Sequence, residues 1–114
     1  MEYELIQELQ AKTRQLEASI KLLRQNGTAY AQAERDYKIL LRQECLKLRD
    51  EGMAVGMIDK VCYGIPSVAE ARFKRDVAES VYRANQEAIA SVKLQLRLIE
   101  NQINRDFGQE GNRL

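Results

Sequence analysis

The chain has 114 residues, 45% of them hydrophobic and 31% charged, with one proline, six glycines, two cysteines and neither histidine nor tryptophan. So few glycines and prolines argue against a many-turned β sandwich, and a chain without histidine has no Ser-His-Asp triad, no histidine general base and none of the common zinc sites. Eighteen basic side chains against seventeen acidic ones leave a net charge of +1, which supplies no long-range pull toward nucleic acid or anionic lipid.

The start, MEYELIQEL, is acidic and amphipathic and does not read as a secretory leader. From there to residue 51 the pattern is that of one long helix. Leu9, Leu16, Leu23, Tyr30 and Tyr37 recur every seven residues. A companion stripe of Ile6, Thr13, Ile20, Gly27, Glu34, Leu41 and Leu48 completes the alternation of threes and fours that marks a heptad seam. Glu2, Glu4 and Glu8 suit the positive end of the helix dipole, and Arg42, Lys47 and Arg49 the negative end. The heptad phase is the same on both sides of Asn26-Gly27, so the sequence predicts a continuous helix over 2–51, able to bend at Gly27, with Gly52 as its C-terminal stop.

Gly52, Gly56, Gly64 and Pro66 fall in one central window. Within it Val55, Ile58, Val61 and Cys62 have helical spacing, which predicts a short helix over 55–63. A third helix follows over 67–107, with Ser67 as N-cap and Glu70 closing a capping box. Ala71, Ala78, Tyr82, Asn85, Ile89, Val92, Leu96, Ile99 and Ile103 carry its seam. Gly108 is expected to end it, leaving a flexible tail over 108–114.

These elements predict an all-α fold in a single domain: a long antiparallel helical hairpin, coiled-coil-like, with a short helix at the connecting end. At 1.5 Å per residue the long helices would measure roughly 70 and 60 Å. Folding about a centre between positions 59 and 60 would set Tyr37 against Tyr82, Tyr30 against Ile89, and Leu23 against Leu96. The same register pairs Glu44 with Arg75, Glu34 with Asn85, and Thr13 with Asp106, so that polar seam residues meet partners rather than leucines. Val77, Val81, Ala84, Leu94 and Leu98 make the third helix wider than one seam, and this predicts a second chain and a dimeric helical bundle or a higher homo-oligomer.

Chemistry-bearing residues are few. Glu34, Asp36, Glu44 and Glu79 lie near the seam, but di-metal helical sites need a Glu-x-x-His motif, and these carboxylates read as structural. Tyr30, Tyr37, Tyr63 and Tyr82 could stack bases, yet three of them hold seam positions and read as packing. The basic cluster of Arg72, Lys74 and Arg75 sits beside Asp76 and Glu79 and reads as a solvated face, with phosphate contact as the sharper alternative. Met53, Met57 and Ile65 form an apolar tip that either plugs the bundle end or meets a partner. Cys45 and Cys62 read as reduced thiols, able to form a disulfide if the fold brings their Cα atoms within about 7 Å. The sequence therefore predicts no catalytic, cofactor-binding or metal-binding residue, and no segment approaches the ~20 apolar residues of a membrane span.

Three stretches, LRQNGTAYAQAERDYK over 23–38, LRDEGMAVGMIDKVCYG over 48–64 and RFKRDVAESVYRANQEAIASVKLQLRLIENQINRDFG over 72–108, together resemble a group of small helical proteins encoded by phages and prophages of Gram-positive bacteria. Where that group has Arg-Gly at the end of the middle helix, this chain has Tyr63-Gly64. The resemblance implies a non-enzymatic protein of the host cytoplasm, accessory to phage DNA recombination or replication, with a phage or host protein as partner. The alternatives are an inhibitor of a host defence or nuclease protein, and a weak nucleic-acid-binding accessory protein, which the balanced charge disfavours.

Overall fold

A computed structural model describes residues 2–112, with side chains from Tyr3 to Gly108. Helix α1 spans Glu2–Asp50, helix α2 spans Val55–Val61, a 3-10 turn covers Cys62–Gly64, and helix α3 spans Pro66–Asn112. The described residues contain no strand. The fold is thus an all-helical hairpin with a short helix between its two long ones. Two compact units make it up: one of residues 1–24 and 84–114, the other of residues 25–83.

The unit of residues 25–83 carries the connecting end. Here α1 ends in a Schellman motif. Met53 N–H donates to Leu48 O and Gly52 N–H to Arg49 O, both at 3.0 Å, and Gly52 has a φ of +90°, as the motif demands. The sequence thus identified the stop correctly. Pro66 occupies the first helical position of α3, where its missing N–H is no loss, and Ile65 O accepts from Ala69 N–H at 2.9 Å. The helix therefore starts one residue before the predicted Ser67, which lies inside its first turn instead of capping it. The predicted short helix divides into α2 and the 3-10 turn, and only one side of it is buried: Ile58 and Cys62, one helical turn apart, are enclosed, while Val55 and Val61 face solvent. Val68, at 0% exposure, completes this small core from α3.

In the same unit the pairing of the long helices differs from the sequence expectation by one heptad. Tyr82 packs on Tyr30, ring centroids 6.1 Å apart and tilted by 34°, not on Tyr37. The ring of Tyr37 instead lies under the Arg75 guanidinium at 4.7 Å. Seven residues along a helix are about 10 Å, the length of α2. The cause is the route of the connection. The expected register assumed that the long helices start level with one another. In fact Cys62 returns to the side of Cys45, within α1, so the segment carries the chain back along α1 before α3 begins. The heptad phase survives in this unit, because a shift of seven leaves Tyr30, Tyr37, Leu41 and Leu48 facing inward.

Gly27 is helical and α1 continues through it. A Cβ at this position would lie 3.1 Å from the Tyr82 ring. The glycine thus serves a close approach between ring and backbone rather than a break.

In the unit of residues 1–24 and 84–114, α3 carries the seam as predicted. Ile89, Val92 and Ile99 are buried and Leu96 and Ile103 half-buried. On α1 the leucines Leu9, Leu16 and Leu23 face inward, but their companions are Leu5, Lys12 and Ser19 rather than Ile6, Thr13 and Ile20. Ile20 is 47% exposed, and Thr13 Oγ1 donates to Leu9 O within its own helix at 2.8 Å. The reason is polar. Asn85 reaches across from α3 and donates from Nδ2 to Ser19 O at 3.0 Å, and the short serine side chain leaves that carbonyl accessible. Helix α3 also runs on through Gly108 to Asn112, past the predicted stop. Of the predicted tail, the side chains of 109–114 and the backbone of 113–114 lie outside the described residues.

Candidate functional site

The unit 25–83 holds an open groove of about 540 Å³ between α1 and α3. Its floor is made by Ala29, Ala33 and Leu40 of α1 and Ala71 of α3, and its rim by Asp36, Glu70 and Lys74. The groove exists because alanines stand at positions flanking the seam, where larger residues would fill the space between the helices. The rim is of mixed charge, so it suits a helix or peptide with its own mixed charges better than a simple anion or cation.

Beside this groove α3 presents apolar side chains to solvent. Phe73, Val77 and Val81 are each about half exposed or more, Val77 at 46% and Val81 at 49%. Neither the hairpin partner nor α2 covers them. In the other unit, Leu94 and Leu98 are exposed in the same way. Val77, Val81, Leu94 and Leu98, with Ala84, which is exposed as well, are the five residues whose spacing made the third helix too wide for a single seam.

The carboxylates near the seam do not converge. Glu34 pairs with Lys38 at 3.5 Å, Glu44 with Lys47 at 3.3 Å, and Glu79 with Arg83 at 2.8 Å, each within its own helix. Asp36 pairs with Arg35 at 3.2 Å. The expected cross-helix pair of Glu44 with Arg75 is not made, because the heptad shift moves Arg75 two turns away, and Asn85, expected opposite Glu34, donates to Ser19 O. Thr13 and Asp106 likewise turn to their own helices, Asp106 accepting from Gln102 at 3.1 Å. Among the described residues no group of three or more Cys, Asp or Glu side chains is placed to hold a metal ion.

The basic cluster is largely committed. Arg75 donates from Nε and from an Nη to one Asp76 oxygen, at 3.0 and 2.8 Å. That hydrogen bond is the main reason its pKa is raised above an already high value. Its flat face covers Tyr37. Arg72 lies 5.6 Å over the ring of Tyr63, and Lys74 belongs to the groove rim. Of the four tyrosines considered for stacking, Tyr37 is 6% exposed, Tyr30 and Tyr82 are half-buried against each other, and Tyr63 stands exposed at the connecting end. At the apolar tip, Met53 and Ile65 are half-buried and Met57 is exposed.

Sequence reasoning missed the groove. Its signal was the small side chains of Ala29, Ala33 and Ala71, which read as weak apolarity until two helices are placed side by side. It also missed Val68, which is fully enclosed only because the connection folds back upon it. Comparison with known protein families, with curated proteins and with solved structures gives no match.

Proposed function

We propose that this is a non-enzymatic helical interaction protein that self-associates through the outward face of α3. The observation that carries the reading is the exposure of Phe73, Val77 and Val81 beside a groove floored by alanines. Branched apolar side chains in a row along a helix lose about 25 cal/mol of favourable burial per Å² left in water, and a second helix laid along the row recovers it. Within the described residues no helix is long and apolar enough to cross a membrane, so a lipid bilayer spanned by this row is not the occupant. The resemblance to phage-encoded helical proteins supports a role in the host cytoplasm, as a scaffold accessory to recombination or replication proteins.

Sedimentation equilibrium tests the first part. A mass of about 26 kDa or a higher multiple is expected, against 13.1 kDa for one chain, with Val77→Glu plus Val81→Glu reducing it to one chain while helicity is kept. A mass near 13 kDa throughout the micromolar range overturns the proposal. For the second part, tagged protein expressed in an infected host should capture phage replication or recombination proteins. Capture of a host nuclease or restriction factor instead would favour the inhibitor reading.

A further inference from the structure

The groove between α1 and α3 and the exposed row on α3 belong to one surface. On α1, Ala29, Ala33, Asp36 and Leu40 line the groove and follow one another at steps of four, three and four. On α3, Glu70 and Lys74 line its other side. Val77 and Val81 continue that row by steps of three and four, both about half exposed. Steps of threes and fours keep side chains on one helix face. Each long helix therefore carries a second seam beside the one that closes the hairpin, low and small on α1, raised and branched on α3. Filling both requires a helix like α3 above the alanines and a helix like α1 above the valines, and a second copy of the chain supplies the two together.

Heights along the hairpin decide how the copies fit. Within one chain Tyr30 packs on Tyr82, and Tyr37 lies under Arg75. By the same register Ala29, Ala33 and Asp36 stand within about 3 Å of the heights of Val81, Val77 and Lys74. A two-fold rotation about the long direction of the hairpin leaves heights unchanged. It stacks α1 of each copy on α3 of the other. Val77 then lies over Ala33, Val81 over Ala29, and Lys74 against Asp36, each pair formed twice. Large meets small, and cation meets anion. A slide of one heptad either way would put Asp36 against Val81 or against Ser67. In the single chain Asp36 pairs with its neighbour Arg35, both side chains about two-thirds in water, and so exposed a pair gives way at little cost.

We propose that the chain forms a two-fold dimer of this geometry. The copies lie face to face and point the same way, each seating its Val77 and Val81 in the groove of the other, with Asp36 and Lys74 of opposite copies setting the register. This geometry rests on the self-association proposed for α3 and adds its orientation and its contacts. The valines supply the affinity, while the rim pairs add little to it and exclude wrong alignments. The opposite orientation would stack α1 on α1 and α3 on α3, where Asp36 and Lys74 do not meet.

Full-length Asp36→Lys and Lys74→Asp chains test it, each alone and then mixed in equal amounts, by sedimentation equilibrium and native mass spectrometry. Both positions are exposed, and circular dichroism checks that helicity is kept. Alone, each variant sets like charges against each other at both rims, and its dimer should weaken about tenfold or more. In the mixed dimer the two reversed side chains face each other at one rim and the two native ones at the other. Mixed dimers should therefore exceed their statistical share and regain wild-type affinity. Single variants that dimerise as tightly as the wild type, or a mixture no tighter than its components, overturn the dimer geometry. The self-association reading then still stands if Val77→Glu plus Val81→Glu separates the chains. A wild-type chain that stays single overturns both.

Discussion

At the scale of single residues, the least expected feature is a glycine kept in mid-helix for the sake of a ring. Replacing a helical glycine by alanine ordinarily stabilises by about 1 kcal/mol. At Gly27 that gain is opposed, because the new methyl would stand 3.1 Å from Tyr82, closer than ordinary contact. We expect Gly27→Ala to change stability by less than about 0.5 kcal/mol in urea unfolding, and the full ~1 kcal/mol to return when it is made in a Tyr82→Ala background. An equal gain in both backgrounds would show that the ring does not press on the helix. Arg75 is a second such residue. Its guanidinium closes the face of buried Tyr37, so Arg75→Ala should cost about 1–2 kcal/mol, and Arg75→Lys should recover only part, since the ammonium keeps the charge but not the flat face. Cys45 adds a pH dependence. The folded thiol holds its proton more tightly than the unfolded one, chiefly through burial and then through the neighbouring Cys62. The contribution to stability is fully present below the unfolded pKa and is lost as pH rises through the folded one. The reduced protein should therefore keep its urea midpoint through neutrality and lose stability above the ordinary cysteine range, and Cys45→Ser should remove that alkaline loss.

At the scale of elements, what was legible in the sequence was whatever depends on local periodicity. Seven-residue recurrence located both long helices and the inward face of α3, and the glycine at 52 located the end of α1 through the one positive φ its chemistry allows. What failed was pairing. A heptad repeat looks the same after a shift of seven, so Leu16, Leu23 and Tyr30 fit two registers almost equally. The choice was made by the connection, whose return along α1 rests on Ile58, Cys62 and Val68, residues separated in sequence and gathered only in the fold. The choice between Ile6 and Leu5, or Ile20 and Ser19, failed similarly: a polar requirement, the Asn85 bond to Ser19 O, outweighed apolarity. The groove was illegible for the same reason, since alanines mark a gap only once their neighbours are known. Double-mutant cycles separate the two registers. Tyr30 and Tyr82 should couple by about 0.5–1.5 kcal/mol, as aromatic pairs do, whereas Glu44 and Arg75 should show no coupling beyond about 0.3 kcal/mol. Coupling between Glu44 and Arg75 above 1 kcal/mol would restore the register centred between residues 59 and 60.

At the scale of the whole molecule, charge and apolar surface point to different kinds of partner, and salt distinguishes them. The chain carries a net charge of +1 with both signs interspersed. Of its basic groups at 72–75, Arg72 and Arg75 are occupied by Tyr63, Tyr37 and Asp76. A protein that bound nucleic acid through several phosphates would lose orders of magnitude in affinity as salt rose from about 50 to 200 mM, through release of condensed counterions. The proposed association through Phe73, Val77 and Val81 would remove apolar surface from water and involve few net charges, so screening would hardly touch it, while excluded salts such as sulfate would strengthen it. Self-association measured by sedimentation should therefore vary by less than about threefold between 50 and 500 mM sodium chloride, and tighten in sodium sulfate of equal ionic strength. Leu94→Glu or Leu98→Glu would show whether the second exposed pair shares in it: a loss comparable to that from Val81→Glu assigns those residues to the same association, and an unchanged dissociation constant confines it to the unit of residues 25–83. A fall of tenfold or more with sodium chloride would instead assign the contact to charged rims such as Asp36, Glu70 and Lys74, and with it a heterologous, charge-complementary partner in place of a second copy.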